Sequence, residues 1–344
     1  MGAETQFRAI VVDKATDAAG NARQTAALRV VGDGFLMPGD VTIAVEYSSL
    51  NYKDALALMG RPGVARVWPL IAGVDLVGTV EASADVRWNP GDRVILTGAG
   101  SGENHHGGLA ERARVAGDAL VRLPDSLSAV QAAAIGTAGF TAQLAVLALE
   151  HGGLTPANGL TPASGPVLVT GGTGGVGSIA ISLLARLGYE VHATTGRPEA
   201  LGAYLHGLGA TEIVERRVLA TTGRPLQKQR WAGAIDSLGS SSLASVLAQM
   251  HANGVVAACG LAQGADLPTS VMPFILRGVS LIGINSVDAS RELREQAWAR
   301  LARDLDLDVL DGLTTTLPLG DSLLAAQQIL AGQHHGRTIV DVRA

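Results

Sequence analysis

"VLVTGGTGGVGS", Val167 to Ser178, carries an apolar run into a cluster of glycines and then into a helical pattern. A strand that ends in glycines and reopens as a helix presents a row of backbone N–H groups at a helix amino terminus. The macrodipole is positive there, so the stretch predicts an anionic ligand held against bare backbone.

Three glycine motifs compete for it. A P-loop needs lysine after its last glycine, but Gly177 is followed by Ser178, and no side chain would reach a terminal phosphate. Thr170, Gly171, Gly175 and Gly177 fit the short-chain dehydrogenase pattern T-G-x-x-x-G-x-G, yet no tyrosine in the chain has lysine four residues later. The dinucleotide fingerprint G-x-G-x-x-G fits Gly172, Gly174 and Gly177, after a predicted strand and at the head of a predicted helix.

The surroundings agree with that reading. After Pro166, strand candidates "VLVTG", "EVHATT", "EIVER", "GAIDS", "GVVAACG" and "SLIGINS" are separated mostly by helical patterns such as "SIAISLLARLG", which implies a Rossmann-type, doubly wound parallel sheet in an α/β chain. The first 130 residues read instead as short β runs, "RAIVVD", "DVTIAVEYSSL", "DLVGTVEAS", "GDRVILTG" and "ALVRLP", with the turn "NPGD" at Asn89 to Asp92, and so as a β-rich, barrel-like domain. Beyond Val287 a helix, "RELREQAWARLARDL", and a last strand, "GRTIVDV", are expected to rejoin it. The expected division is therefore 1–130 with 288–344, and 131–287. Between the two, Gly152 to Pro166 carries "LTPA" twice and reads as a surface loop with a local duplication.

Composition sets limits on partners. Of 344 residues, 47% are apolar and 17% charged, enough for one large core or two smaller ones, and the net charge of -5 offers no basic surface for a nucleic acid backbone. Cys259 is the single cysteine, so no internal disulfide forms and a reducing compartment fits. The start "MGAETQFRAIVVDKA" lacks the basic-then-apolar order of a signal peptide, and cytoplasmic residence is the expectation. Ala132 to Leu149 is an uncharged stretch of 18 residues, the length at which a membrane span becomes arguable, but its glycines, threonines and Gln143 favour a buried helix between two domains.

The second strand distinguishes the dinucleotides. An NAD site usually ends this strand with a carboxylate on the ribose, whereas this chain reads "ATTGRP", Ala193 to Pro198. Glu190 begins the strand, at the wrong end. Thr194, Thr195, the N–H of Gly196 and the guanidinium of Arg197 suit a 2′-phosphate, which points to NADPH, and Arg216 offers a second wall for the adenosine. Arginines are usually solvated, which is the alternative for Arg197.

With these segments in place, including "NPGDRV", "GGLAE" (Gly107 to Glu111) and "AIGTAGFTA", the whole chain resembles the medium-chain dehydrogenases/reductases, which implies a GroES-like catalytic domain beside the dinucleotide-binding one. Zinc-dependent members carry a cysteine near "SLNYKD" and a Gly-His-Glu segment where this chain has "AGVDLVG". Val74 stands where that histidine would be and cannot bind a metal, so hydride transfer without zinc is expected. His105-His106 and His334-His335 lie on glycine-flanked loops and read as solvated rather than ligating. "SSLNYKDALA", "GENHHGGLAERARV", "TGRPE", "WAGAIDSLG", "VMPFILRGVSLIGINSV" and "GRTIVDV" are similar to the zinc-free acryloyl-CoA reductase and quinone-oxidoreductase-like branch.

That resemblance implies NADPH and reduction of an activated carbon–carbon double bond, acryloyl-CoA to propanoyl-CoA above all. It implies cofactor contacts at Tyr52, Thr137, Gly172, Thr173, Gly174, Gly175, Val176, Gly177, Thr195, Gly196, Arg197, Arg216, Leu261, Ile275 and Ser286. The branch also has an asparagine shortly before its final Gly-Arg, where this chain departs and reads "AGQHHGR". A homodimer joined across the "SLIGINS" edge is expected as in the branch, since an apolar edge strand invites pairing.

The chemistry can be argued from the residues. Hydride addition to the β-carbon of an enoyl thioester puts negative charge on the thioester oxygen, and the α-carbon must gain a proton. Tyr52 in "NYKD" could supply that proton or stack on the nicotinamide, and both roles stay open. Asp54 reads as a helix amino-terminal charge. Arg61 and Arg66 could meet the phosphates of an acyl carrier, with plain solvation the favoured reading. A quinone or alkenal reductase, and a crystallin-like or regulatory NADPH-binding protein, are the alternatives.

Overall fold

The computed structural model of the chain describes residues 5–16, 22–152, 159–221 and 223–344. Residues 153–158, within the loop carrying the "LTPA" duplication, and the first four residues of the chain lie outside them. Two units emerge, residues 1–137, 286–302 and 310–344, and residues 138–285 with 303–309.

In the first unit, β1 (Gln6–Thr16) and β2 (Ala22–Gly32) form a long antiparallel pair. β3 (Val41–Leu50) alternates buried and half-buried residues along its first half, the pattern of a sheet with one face on a core, and then runs into α1 (Tyr52–Leu58). β4 (Leu70–Ile71), β5 (Asp75–Ser83), β6 (Arg93–Thr97), β7 (Arg112–Val115) and β8 (Leu120–Arg122) follow. "NPGD" makes the β5–β6 turn, with Gly91 at φ +94° and the Asp92 N–H donating to the Asn89 carbonyl at 3.0 Å. Ile43, Leu70, Leu76, Leu96 and Leu120 are the buried heart of this unit.

α2 (Ala129–His151) is the one helix among the described residues long and apolar enough to cross a membrane, and it is buried almost throughout. It is interrupted at Gly136, whose φ of 47° and ψ of −159° only glycine adopts without strain. The first unit ends at Thr137, seven residues past the boundary the sequence suggests, because Ala134 and Thr137, on either side of this kink, are bonded to first-unit side chains.

The second unit is the parallel sheet. β9 (Val167–Val169), α3 (Gly175–Arg186), β10 (Val191–Thr195), α4 (Pro198–Gly207), β11 (Glu212–Glu215), β12 (Trp231–Asp236), α5 (Ser240–Ala248), β13 (Met250–Ala258), α6 (Met272–Arg277) and β14 (Ser280–Gly283) contain all six expected strands. Every pairing is parallel and the order is β11-β10-β9-β12-β13-β14. The chain reverses direction across the sheet between β9 and β12, and a doubly wound sheet binds ligands outside the carboxyl ends of its strands at that point. The glycine stretch sits there. Leu168, Trp231, Leu247 and Val256 pack the interior.

The chain then returns through α7 (Arg291–Asp304), α8 (Leu307–Gly312), β15 (Thr314–Pro318), α9 (Ser322–Leu330) and β16 (Arg337–Asp341). β16 pairs antiparallel with β3 and parallel with β15, which completes the larger first-unit sheet in the order β15-β16-β3-β5-β6-β8, with β7 paired to β3. A separate three-stranded sheet runs β2-β1-β4.

His105, His106 and His334 are less solvated than the sequence suggests, whereas His335 is exposed as expected. His106 is buried and stacked on Phe35 with ring centres 5.2 Å apart, and burial holds its pKa below the usual imidazole value. His105 lies 2.8 Å from the Pro38 carbonyl through Nε2, and half-buried His334 lies 3.0 Å from the Thr338 hydroxyl. The loop bearing His105 and His106 packs on Gly73, whose backbone a Cβ at Gly102 or Gly107 would strike, so its glycines bring backbone against backbone.

Candidate active site

The glycine stretch is clamped from below. The buried Thr170 hydroxyl donates to Asp236 Oδ1 at 2.7 Å, and Asp236 Oδ2 accepts the Gly239 N–H at 2.8 Å, which joins the ends of β9 and β12. Burial raises the Asp236 pKa against those hydrogen bonds. Gly171 turns at φ +61°, its N–H donating to the Thr194 hydroxyl at 3.2 Å, and the Gly172 N–H donates to the Thr194 carbonyl at 3.0 Å. A Cβ on Gly177 would lie 2.3 Å from the Gly171 carbonyl oxygen, so glycine here lets α3 close onto the strand. The Ser178 N–H donates to the Gly174 carbonyl at 2.9 Å, which leaves the N–H groups of Gly175, Val176 and Gly177 without intrahelical acceptors. Gly174 is exposed, and a Cβ there would meet only the Gly171 oxygen at 3.4 Å. An open glycine face beside unused donors at a helix amino end fits a pyrophosphate. Tyr204 on α4 braces the loop through Ser178 (2.8 Å), whose hydroxyl donates to the Gly172 carbonyl at 3.2 Å.

At the end of β10, Thr195 is buried and its hydroxyl accepts the Arg197 N–H at 3.1 Å. No carboxylate ends the strand; Glu190, at its start, pairs with His192 at 3.1 Å. Gly196 lies under the Arg216 guanidinium, 3.0 Å from where its Cβ would be. Glu215 is taken by Arg217 at 2.5 Å, so Arg216 and Arg197, both exposed, make no ion pair among the described residues. A cleft of about 460 Å³ opens here, lined by Gly196, Arg216, Arg217, Leu238 and Gln263 among others. Two unengaged guanidinium groups around a glycine turn fit a 2′-phosphate.

The other expected contacts divide. Leu261 is exposed just beyond β13, its Cα 3.3 Å from where a Cβ on Gly239 would be, at the carboxyl end of the sheet. Ile275 is exposed on α6 two residues before Arg277, whose guanidinium donates to the Ala248 and Met250 carbonyls where β13 opens. That is the amino edge of the sheet, so the structure does not bring Ile275 to the glycine loop. Tyr52, Thr137 and Ser286 belong to the first unit. The Ser286 and Val287 carbonyls accept from the buried Arg294 guanidinium at 3.2 and 2.8 Å, and the Thr97 carbonyl from the same group at 2.6 Å.

Tyr52, half exposed, is the first residue of α1. Directly before it, the Asn51 N–H donates to Asp54 Oδ2 at 2.8 Å, the amino-terminal role expected of Asp54. Asp54 is also fully buried and accepts the Val74 N–H through Oδ1 at 2.9 Å. Burial, then the neighbouring Asp75, pushes its pKa up to about 7. Asp75 accepts from the Ser49 hydroxyl at 2.5 Å, from Asn51 Nδ2 at 2.8 Å and from the Thr137 N–H and hydroxyl at 2.9 and 2.5 Å. Arg337 is buried beside them, donating to Asn51 Oδ1 at 3.1 Å, Ser49 Oγ at 3.0 Å and the Ala134 carbonyl at 2.5 Å. Lys53 pairs with Glu103 at 2.8 Å, while Arg61 and Arg66 are exposed. Among the described residues no three His, Cys, Asp or Glu side chains gather as a metal site, and Val74 is buried and apolar.

Sequence reasoning missed Asp75 and Arg337. The available signal was a charge inside each of two apolar strand segments, Asp75 in "GVDLVG" and Arg337 at the head of "GRTIVDV", since a buried charge needs partners.

Residues 37–125 match the family described as alcohol dehydrogenase GroES-like domain, and residues 175–303 the family described as zinc-binding dehydrogenase. The chain is 50% identical over 339 residues to the acrylyl-CoA reductase AcuI of Ruegeria pomeroyi, spanning 98% of this chain and 100% of that one. It is 46% identical over 307 residues to the putative quinone oxidoreductase YhfP of Bacillus subtilis, spanning 88% and 91%. The crystal structure of the yhdH oxidoreductase from Salmonella enterica in complex with NADP superposes with a TM-score of 0.92 at 49% identity, covering 97% of this chain and 99% of that one.

Proposed function

Given that the chain belongs to the medium-chain dehydrogenase/reductase superfamily, in the branch of the acrylyl-CoA reductases and quinone-oxidoreductase-like proteins, we propose that it reduces the activated double bond of acryloyl-CoA to propanoyl-CoA with NADPH. The observation that carries the cofactor choice is the pair of unengaged guanidinium groups, Arg197 and Arg216, around Gly196 at a strand end without a carboxylate. The substrate follows from the near full-length likeness to the Ruegeria enzyme.

When bound, NADPH supplies a hydride to the β-carbon. This chain's residues do the rest. The N–H groups of Gly175 to Gly177 would hold the pyrophosphate, and Arg197 and Arg216 would hold the 2′-phosphate. As hydride arrives, the C=C π electrons move toward the thioester oxygen, and the resulting enolate collapses as its α-carbon takes a proton. The Tyr52 phenol, exposed at the first turn of α1, is the O–H donor for that proton, directly or through water. Thr137 cannot serve, because its hydroxyl proton is already given to Asp75; it offers lone pairs to a bound group.

The reaction needs no zinc in this reading, since Val74 has no ligand atom and both aspartates already accept two or more N–H or O–H groups. The assembly we propose is a homodimer across β14, an edge strand preceded in the chain by the exposed Val271, Ile275 and Leu276, and residence is cytoplasmic with no membrane partner. Quinone reduction is the second reading, favoured by the likeness to the Bacillus protein. Incubating the purified protein with NADPH and either acryloyl-CoA or a simple quinone tests both. Propanoyl-CoA formation with a higher kcat/KM than the quinone supports the first, and quinone turnover with acryloyl-CoA untouched replaces it with the second.

A further inference from the structure

Asn51 is the hub of the buried cluster behind Tyr52. Its side-chain amide offers two donors and one acceptor, and all are used. Nδ2 donates to Asp75 Oδ2 at 2.8 Å and to Asp54 Oδ2 at 3.1 Å, while Oδ1 accepts from Arg337 at 3.1 Å. A planar amide is the group that can bridge two carboxylates and a guanidinium at once, since an acid lacks the donors and an alkyl group lacks everything. The bonds lead outward in two directions. One is local: the Asn51 N–H and Asp54 fix the backbone on which Tyr52 begins α1. The other runs through Asp75 to the Thr137 N–H and hydroxyl, and through Arg337 to the Ala134 carbonyl, bracketing the kink at Gly136. A Cβ on Gly136 would lie 2.6 Å from Asp75, 2.8 Å from the Ser49 hydroxyl and 2.9 Å from Arg337, so the kink is closed tightly around the same atoms.

We propose that Asn51 is a positioning residue for the reaction, holding Tyr52 and Thr137 in their working orientations through Asp54, Asp75 and Arg337. The inference rests on the reading of those two residues given above. One carboxylate and one guanidinium balance in charge, and the second carboxylate, Asp54, carries its proton up to about pH 7. The charged groups facing it are Asp75 on β5 and Arg337 on β16. Loss of that proton leaves unbalanced negative charge in a buried site at the root of α1. The balanced form is the one that keeps Tyr52 placed, so kcat falls as pH rises through that range.

The experiment uses the full chain carrying Asn51→Leu, which is close in volume, and separately Ser49→Ala, which removes the hydroxyl donating to Asp75 without touching α1. For each, kcat is measured across pH with acryloyl-CoA and with a quinone, and NADPH affinity by fluorescence titration. Misplacing a reacting group by about an ångström costs on the order of 10²-fold in rate. Asn51→Leu is therefore expected to lower kcat about 10²-fold and Ser49→Ala about tenfold, with NADPH affinity within about threefold of the parent. In Asn51→Leu the pH midpoint of kcat moves upward, because the side-chain donor that lowers the Asp54 pKa is gone. A merely structural role would leave the midpoint of the folded variants in place. If both variants keep kcat within about threefold of the parent, or Ser49→Ala does so where Asn51→Leu fails to fold, the positioning role is overturned. If the parent turns over only the quinone, the substrate reading fails, and the ratio of variant to parent kcat on the quinone still decides the role of Asn51.

Discussion

Replacing Gly177 with alanine tests how the opening glycine stretch makes a binding site. The added methyl would stand 2.3 Å from the Gly171 oxygen and 2.8 Å from the Gly171 carbonyl carbon and the Gly172 Cα, all backbone atoms that cannot rotate aside. Ordinary contact requires α3 to withdraw by about 1.1 Å, which takes the N–H groups of Gly175 and Val176 out of hydrogen-bonding range of a phosphate held by the rest of the loop. Losing two charge-assisted hydrogen bonds, each worth about 1.5–3 kcal/mol, weakens NADPH by roughly 3 kcal/mol or more, a factor of at least about 10² in Kd. Overpacking adds a stability cost of about 1–3 kcal/mol. Fluorescence titration with NADPH and urea unfolding read the two effects separately. Gly202→Ala in α4 is the control, because its Cβ would meet nothing within 4 Å, and it should gain about 0.5–1 kcal/mol in stability with binding unchanged. Parental NADPH affinity in folded Gly177→Ala would refute the role assigned to the loop.

Further outcomes follow from other parts of the molecule. Arg197→Ala and Arg216→Ala should each weaken NADPH by about 1.5–3 kcal/mol and leave NADH nearly unchanged in parallel titrations; equal losses for both cofactors would contradict a 2′-phosphate site. Asp54 has its folded-state pKa raised from 3.8 to about 7, so its favourable contribution is present at low pH and is lost as pH rises toward 7. The stability of the parent relative to Asp54→Asn should therefore fall by roughly 1.4 kcal/mol per pH unit between about pH 5 and 7 and level off above, and a flat difference in urea unfolding would count against the burial argument. Prolonged chelation should leave activity intact, and inactivation restored by zinc would overturn the zinc-free reading. Sedimentation at micromolar concentration should give a dimer, and an introduced charge at Ile282 on β14 should shift it toward monomer.

The parallel sheet was legible because each of its strands is an apolar run bounded by turns, and the glycine loop because its close approaches leave no room for side chains. β2 was not legible: in "ARQTAALRVVG" most described residues are exposed, so no buried face imprints a pattern, and β15, "TTTLP", is short and half exposed in the same way. The Tyr52 segment and Arg197 stand in short local patterns, whereas the cluster behind Tyr52 joins residues 49, 51, 54, 75, 137 and 337, a convergence that no local spacing encodes. The pair His105 and His106 was misread because flanking glycines usually mark exposed loops; here they let the loop pack on Gly73.

The central claim, conjugate reduction of an enoyl thioester by NADPH, is tested most directly by isotope placement in the product. NADPH deuterated at the transferred position, incubated with the protein and acryloyl-CoA in ordinary water, should give propanoyl-CoA with one deuterium on the β-carbon; the same reaction with unlabelled NADPH in deuterated water should place one deuterium on the α-carbon. Unlabelled product from the first incubation, or oxidation of NADPH without propanoyl-CoA, would contradict it.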